Sequence, residues 1–263
     1  MFPLQEGYLK YPVRITLDGK PAGSGFFIEK ERIVYLVTAR HVLAHKNFEF
    51  AGSQVSINAF SNQEGFDETI EIRFDINQLN ADKAVSFHPS RDILIIRIGV
   101  LDEHLRAVPL AGITIVRSGK GDLMVAQEPM FKLFDKINIS QDVFLFGYPT
   151  SIGDKATKGE LDLNKPLLRK GIVAGKNEKY KNLILDCPAF GGNSGGPITE
   201  VEHYFHDDGR YKGMGVYIIG IVTEYVPYAQ QFIDPLLGVP NQVMGNSSYS
   251  IAEPMDPILS LLN

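Results

Sequence analysis

The sequence of 263 residues predicts an all-β sandwich or barrel arrangement. Three observations favour this fold class. About a dozen short runs of apolar or alternating residues are separated by turn residues, and each run has the length of a strand. Long helical periodicity is missing from most of the chain, and the 25 glycines allow many tight turns. Because the strands follow one another without intervening helices, a sandwich or barrel is favoured over a parallel βαβ sheet.

The strand pattern recurs along nearly the whole chain, with one break in composition at VRSGKGD, Val116 to Asp122. This break is the expected seam between an N-terminal half at 1–117 and a C-terminal half at 118–263. The runs that carry the pattern are YPVRITL from Tyr11, GFFIEK from Gly25, RIVYLVT from Arg32, SQVSINAF from Ser53, TIEIRFDI from Thr69, DILIIRI from Asp92, GITIV from Gly112, DVFLFGYP from Asp142, LLRKGIVAG from Leu167, NLILDC from Asn182 and VYIIGIVTEY from Val216.

The clearest helix is predicted at the C-terminal end of the sequence. Asp256 could cap it, and Pro257 suits its first turn because proline is tolerated there. The residues that would form its apolar face are Ile258, Leu259, Leu261 and Leu262.

Charge and composition argue against several classes of protein. The formal net charge is -5 and no long block of Lys or Arg is present, which disfavours binding to the phosphate backbone of nucleic acids. The start of the chain lacks a basic segment followed by an apolar core, and no later segment is long enough to span a membrane. Cys187 is the only cysteine, so no intrachain disulfide can form. We therefore expect a cytoplasmic protein that binds neither nucleic acid nor membranes.

The segment FGGNSGGPI, Phe190 to Ile198, places one serine, Ser194, among four glycines. Glycines beside a serine allow the backbone to approach a substrate closely, and they present neighbouring N–H groups to a developing oxyanion. A glycine-rich turn between two strands has the same composition, so this segment alone does not decide between a nucleophile and a turn. A serine nucleophile needs a base, and the base usually needs a third group that orients it.

His41 and Asp92 are the partners that we expect for Ser194. His41 follows an apolar strand and begins a short helical turn, where a rigid scaffold can present a catalytic side chain. Asp92 directly precedes the apolar run ILIIRI, where its carboxylate can accept a hydrogen bond from a histidine. The alternative for Asp92 is a turn aspartate that only caps a loop. Asp75 and Asp82 are the alternative candidates for the acid that orients the histidine, but neither precedes so apolar a strand.

The sequence GNSGG also matches the G-x-S-x-G nucleophile elbow of α/β-hydrolases. That fold requires the chain order serine, acid, histidine on a parallel sheet flanked by helices. The histidines that follow Ser194 are His203 and His206, and both lie in a polar segment without such helices. The available order of His41, Asp92 and Ser194 is instead that of the chymotrypsin type.

Segments along nearly the whole chain resemble trypsin-like (chymotrypsin-fold) serine peptidases, and among these the HtrA/Deg-type peptidase domain. They are, in order, GSGFFI with YLVTARHVL, RDILIIRI, FLFGYP, LLRKGIVAG, GGNSGGPI, IIGIVTEY and SYSIAEPMDPILSLL. The resemblance implies two six-stranded antiparallel β-barrels with the active site in the crevice between them. His41 and Asp92 would come from the first barrel, and Ser194 from the second.

The resemblance also implies a role for each of these residues in a serine endopeptidase. His41 would act as general base and then as general acid, and Asp92 would orient the imidazole and stabilise its charged form. Ser194 would be the nucleophile that forms an acyl-enzyme. The backbone N–H groups of Gly192 and Ser194 would form the oxyanion hole.

The substrate implied by the resemblance is a polypeptide. The strand segment Thr223, Glu224 and Tyr225 would pair with the backbone of an extended peptide. The primary specificity pocket would be bordered by Pro188 near its base, Tyr225 on one wall and a residue near Ser248 on the other. Because no carboxylate stands at Pro188, a preference for Arg or Lys is not supported, and we expect a small or medium apolar side chain before the cut.

Two departures from related enzymes affect how the protein would be regulated. Digestive enzymes of this type are activated when a newly cut N-terminus pairs with an aspartate, and Asn193 stands at that position. We also expect no PDZ-like domain after Asn263 and no signal or anchor before the peptidase, so a further protein chain is a possible activator or recruiter.

The alternative to an active peptidase is a latent or non-catalytic binding module that keeps the fold and holds a protein partner. Retention of all three triad residues favours the enzyme. No metal or organic cofactor is indicated, because the spacing in HYFHDD, His203 to Asp208, matches no common metal site.

Overall fold

Two β-sheets, one from each half of the chain, form the fold. The computed structural model describes residues 4–63, 65–150, 160, 162–233 and 240–262. Within these residues, ten strands join in an N-terminal sheet and six strands close into a C-terminal barrel. The all-β class predicted from the sequence is confirmed.

The N-terminal sheet has six long strands and four short ones in the described part of the chain. Its strands are β1 (Pro12–Leu17), β2 (Lys20–Lys30), β3 (Ile33–Thr38), β4 (Gln54–Phe60), β5 (Thr69–Asp75), β6 (Val85–Phe87), β7 (Leu94–Leu101), β8 (Ala107–Pro109), β9 (Thr114–Arg117) and β10 (Val125–Ala126). Their order is β6-β7-β3-β2-β1-β4-β5-β9, with β8 on β7 and β10 on β2. The run GITIV predicted β9, whereas the short strands β6, β8 and β10 were not predicted, and the pairing of β10 with β2 is parallel.

Alternating side chains explain why the long strands form this sheet. In β4, Val55 and Ile57 are buried, while the residue between them is more exposed. Strand β5 buries Ile70, Ile72 and Phe74 in the same alternating way. The two strands are antiparallel and set Ile57 opposite Ile72, so the buried side chains meet on one face. Burying each of these side chains contributes roughly 1.5–3 kcal/mol to folding.

The C-terminal barrel closes around a separate apolar core. Its strands are β11 (Asp142–Gly147), β12 (Leu167–Asn177), β13 (Asn182–Asp186), β14 (Pro197–Phe205), β15 (Tyr211–Ile233) and β16 (Pro240–Pro254). They follow the closed order β11-β12-β13-β16-β15-β14. The side chains that fill this core include Val143, Leu145, Val173, Leu183, Leu185, Ile198 and Ile219.

Helices are short throughout the described residues. They are α1 (Arg40–Leu43), α2 (Ile76–Ala81) and α3 (Met255–Ser260), with 3-10 turns at Glu6–Lys10, Glu128–Met130 and Phe134–Lys136. The predicted C-terminal helix is present, but Asp256 lies inside it and does not cap it. The Asp256 carboxylate instead accepts a hydrogen bond of 2.8 Å from the Phe134 N–H, which ties the helix to the chain between the two sheets.

The two halves share part of one core. Met255 and Ile258 of α3, together with Ile218 and Ile221 of β15, belong to the same buried cluster as the N-terminal sheet. The boundary at residue 117 stays a prediction, and β10 pairs with the N-terminal sheet beyond it. Among the described residues, no helix has the length and apolar character needed to cross a membrane.

Candidate active site

His41 and Asp92 lie side by side because their strands are neighbours. Thr38 ends β3 and pairs with Leu94, the first residue of β7, so the segments next to these strand ends are adjacent. The Arg40 N–H donates to the Asp92 carbonyl oxygen at 3.2 Å, which fixes the start of α1 against the start of β7. His41 then projects from the exposed side of this short helix.

The imidazole of His41 is hydrogen-bonded to the carboxylate of Asp92. Nδ1 of His41 lies 2.5 Å from Oδ2 of Asp92, and the backbone N–H of His41 donates to Oδ1 at 3.0 Å. The Arg40 guanidinium lies 3.9 Å from Oδ1. The Asp92 side chain is 25% exposed and the His41 side chain is 47% exposed, so one side of the imidazole remains open.

These contacts keep Asp92 ionised. Burial by itself raises the pKa of Asp92, but hydrogen bonds from His41 and the nearby charges of His41 and Arg40 outweigh it, and the net pKa lies below its ordinary value. An ionised carboxylate can only accept hydrogen bonds, so Nδ1 of His41 is the donor. In the neutral ring, Nε2 then carries a lone pair and can accept a proton.

The loop between β13 and β14 carries Ser194 to the same place. The Ser24 N–H of β2 donates to the Ser194 carbonyl oxygen at 2.9 Å. A side chain at Gly23 would lie 2.7 Å from a Val42 methyl group and 2.9 Å from that same oxygen, so Ser194 lies beside α1. Within the described ranges, the Ser194 hydroxyl forms no hydrogen bond to His41, and such bonds often tighten only when substrate binds.

Hydrogen bonds set the orientation of each peptide in this loop. The Gly191 carbonyl accepts from the Thr150 N–H, and the Gly192 carbonyl accepts from the Ser24 hydroxyl. The Asn193 carbonyl accepts from the Gly196 N–H, and the Ser194 carbonyl accepts from the Ser24 N–H. In a trans peptide the N–H points away from the preceding carbonyl. The Gly192 N–H therefore points away from Thr150, and the Ser194 N–H points away from Gly196. Among the described residues, neither N–H donates to a backbone carbonyl, so both are available to a ligand.

An apolar cavity of about 300 Å³ adjoins this loop. The Asn246 side-chain amide closes one side of it by donating to the Ala189 carbonyl oxygen at 2.6 Å. None of the described residues around the cavity is charged, so this part of the wall favours an uncharged ligand group. Its lining residues are Ala189, Phe190, Gly191, Tyr225, Pro227, Met244, Gly245 and Asn246.

A larger polar cavity of about 520 Å³ has both His41 and Asp92 in its wall. Thr223 and Glu224 of β15 line it. Glu253 also contributes to the wall and is paired with Arg91 at 2.6 Å, while burial raises the pKa of the Glu253 carboxyl. The pair of His41 and Asp92 therefore borders a polar cavity.

A family model of the trypsin-like peptidase domain matches residues 23–204, which is well over half of the chain. The chain belongs to this family. A comparison with curated proteins yields no match. Among solved structures, the chain is similar to the HtrA-type protease AlgW with decapeptide, at 17% identity and a TM-score of 0.46, with 92% of this chain and 51% of that chain covered. The chain thus spans about half the length of that protease.

Membership of the trypsin-like family confirms the family and the fold that the sequence predicted. The match from residue 23 to residue 204 includes all three predicted triad positions, His41, Asp92 and Ser194. The structure brings two of these side chains into contact and places the backbone of the third next to α1. Their catalytic roles stay predictions.

Asn193 closes the loop of this trypsin-like domain without an ion pair. Its side chain is 2% exposed. The Asn193 N–H donates to the Phe190 carbonyl oxygen at 2.9 Å, and the Phe190 N–H donates to Oδ1 of Asn193 at 3.0 Å. A buried carboxylate at this position would need a cationic partner, whereas the side chain of Asn193 is neutral and its oxygen is hydrogen-bonded within the loop.

The residues predicted for the specificity pocket are only partly those that surround the apolar cavity. Tyr225 lines it, while Pro188 and Ser248 are not among its lining residues. Sequence reasoning missed Phe190, Met244 and Asn246. Phe190 lies in the quoted glycine-rich segment and could have been considered, but the other two depend on how β15 and β16 pair.

Proposed function

We propose that the protein is a serine endopeptidase that hydrolyses polypeptides through His41, Asp92 and Ser194. The observation that carries the proposal is the 2.5 Å contact between Nδ1 of His41 and an ionised Asp92. Beside this pair lies a loop whose Gly192 and Ser194 amides donate to no group among the described residues. A base, its orienting group, a hydroxyl and two oxyanion donors are the groups that acyl transfer requires.

The proposed reaction starts with proton transfer from the Ser194 hydroxyl to Nε2 of His41 as the serine oxygen attacks the peptide carbonyl. The oxyanion that forms accepts hydrogen bonds from the Gly192 and Ser194 amides. His41 then gives the proton to the leaving nitrogen, the C–N bond breaks, and an acyl-enzyme remains. Water, activated by His41, hydrolyses the ester and restores Ser194. Asp92 holds the imidazole and stabilises its charged form throughout.

The free edge of β15 supports a polypeptide substrate. The pairing of β14 with β15 ends at Pro197 and Ile221, while β16 continues along the other edge of β15. In the described residues, the edge of β15 from Thr223 to Tyr225 therefore has a strand on one side only. An extended peptide can add to such an edge through main-chain hydrogen bonds.

The uncharged cavity beside the loop supports a preference for a small or medium apolar side chain before the cut. Phe190, Tyr225 and Met244 provide apolar surface, and none of the lining residues that the structure describes could neutralise the charge of Arg or Lys. A library of peptides varied at this position tests the preference. Strong selection for Arg or Lys would contradict it.

A second candidate is a latent or non-catalytic module that needs or serves a protein partner. The observation that favours it is the lack, in the described part of the chain, of a hydrogen bond between Ser194 and His41. Under this candidate, a partner that activates or recruits would complete the site. The need for such a partner and the cytoplasmic location both stay predictions.

Labelling by a fluorophosphonate probe distinguishes the two candidates. The native protein is compared with Ser194→Ala and His41→Ala, and circular dichroism verifies that each variant is folded. Labelling of the native protein that is lost in both variants supports an active, self-sufficient nucleophile. A folded native protein that is not labelled contradicts a self-sufficient peptidase and favours the latent or binding module.

A further inference from the structure

Ser24 joins the N-terminal sheet to the serine loop through both its side chain and its backbone. It lies in β2 and is fully buried. Its hydroxyl donates to the Gly192 carbonyl oxygen at 2.7 Å and accepts from the Tyr148 N–H at 2.9 Å. Its own N–H donates to the Ser194 carbonyl oxygen at 2.9 Å. One residue of the first sheet thus contacts two separate segments of the second half.

We propose that Ser24 is a positioning residue that holds the two oxyanion-binding amides in place through the Gly192 carbonyl. This inference rests on the proposed function, because it concerns the same loop. The peptide that follows Gly192 lies between the two peptides that carry the Gly192 and Ser194 N–H groups. The orientation of that middle peptide therefore sets the distance and the angle between the two donors.

Gly192 makes an external anchor necessary. Its φ is +94°, a region that glycine adopts easily and that leaves the local backbone with many alternatives. The Ser24 hydroxyl has one proton for the Gly192 carbonyl and a lone pair for the Tyr148 N–H, so its bonding capacity fits both neighbours. Oxyanion stabilisation depends on donors that are already oriented before the reaction starts.

The bond from the Tyr148 N–H also links Ser24 indirectly to the Gly191 carbonyl. Two residues further on, the Thr150 N–H donates to the Gly191 carbonyl oxygen at 2.8 Å. Ser24 therefore fixes the Gly192 carbonyl directly, and it fixes the start of the segment that holds the Gly191 carbonyl. Replacing the hydroxyl with hydrogen leaves the Gly192 oxygen and the Tyr148 N–H without this partner.

Thr38 offers a matched control for a purely structural effect. It is fully buried, and its hydroxyl donates to the Ser24 carbonyl oxygen at 2.7 Å. The variant Thr38→Val keeps the shape and removes one buried hydrogen bond between β3 and β2. It leaves the Ser24 hydroxyl and its bond to Gly192 unchanged.

The first test is hydrogen exchange of residues 190–196, measured by mass spectrometry without substrate on the native chain, Ser24→Ala, Ser24→Cys and Thr38→Val. We expect exchange about 10-fold faster in Ser24→Ala, because the loop opens locally more often, and an intermediate rate in Ser24→Cys because a thiol is a weak donor. Thr38→Val is expected to match the native loop. Equal effects of Ser24→Ala and Thr38→Val would overturn the proposal. If the alanine variant does not fold, the same comparison is made with Ser24→Cys.

The second test is the rate of fluorophosphonate labelling and the kcat and KM for a peptide substrate. Ser24→Ala is expected to lower the labelling rate and kcat about 10-fold with little change in KM, since only the oxyanion contacts are disturbed. A rise in KM at constant kcat would contradict a role in positioning the donors. If the native protein is not labelled, the proposed function fails, while the exchange experiment still decides the role of Ser24.

Discussion

The substitution Asp92→Asn tests the proton-transfer role of the histidine pair. Asparagine has the same shape, and its oxygen can still accept from the His41 backbone N–H, which lies 3.0 Å from Oδ1. Its NH₂ group would then face Nδ1 of His41 at the position where Oδ2 now lies at 2.5 Å. Nδ1 becomes an acceptor, the ring proton moves to Nε2, and the imidazole can no longer take a proton from Ser194.

The expected loss for Asp92→Asn is large because it removes the reactive tautomer and not merely one hydrogen bond. In a triad with this geometry such a change lowers kcat by about 10⁴-fold. At 1.36 kcal/mol per tenfold, this is about 5 kcal/mol of transition-state stabilisation. The assay is kcat for a peptide substrate, or the fluorophosphonate labelling rate, with circular dichroism to verify the fold.

Asp75→Asn is the matched control, since Asp75 was the rival carboxylate in the sequence. It caps α2 by accepting from the Asn77 and Gln78 N–H groups, and asparagine can do the same. We expect this variant to keep native activity. An Asp92→Asn protein that retained a tenth or more of the native kcat would refute the assigned role of Asp92.

Two further results are expected. Asp75→Ala removes the two capping bonds of α2 and lowers the free energy of unfolding in urea by about 1 kcal/mol, with kcat unchanged; an equally large loss in Asp75→Asn would argue against the cap. Burial raises the pKa of the Cys187 thiol to about 11, so at pH 8 iodoacetamide should modify the native protein about 100-fold more slowly than the protein unfolded in urea; similar rates would show that the thiol is accessible.

The strands could be predicted from the sequence because their signal is local. Alternation in β4 and β5 identifies the buried face of each strand without knowledge of its neighbours. Each of the quoted runs overlaps a strand of the structure. The short strands β6, β8 and β10 have two or three residues each and exist only because a longer strand lies beside them, so no local pattern marks them.

The catalytic candidates were also visible in the sequence, whereas the pocket was not. His41, Asp92 and Ser194 each stand at a strand end or in a glycine-rich turn that can be recognised locally. Met244 and Asn246 reach the apolar cavity because β15 and β16 pair with irregular register. A register shift moves side chains from one face of a strand to the other, and sequence periodicity does not reveal where such shifts occur.

The structure divides the site between charged and neutral interactions, and Asn193 belongs to the neutral part. The hydrogen-bonded pair of His41 and Asp92 controls where a proton can go, and the Asp92 carboxylate must remain ionised to do so. Among the described residues, the loop that carries the proposed oxyanion donors is held by neutral groups, from Ser24 and Thr150 outside it and from Asn193 within it. Neutral hydrogen bonds between buried groups do not depend on a free cationic N-terminus. We therefore expect this loop to be ordered without proteolytic cleavage of the chain.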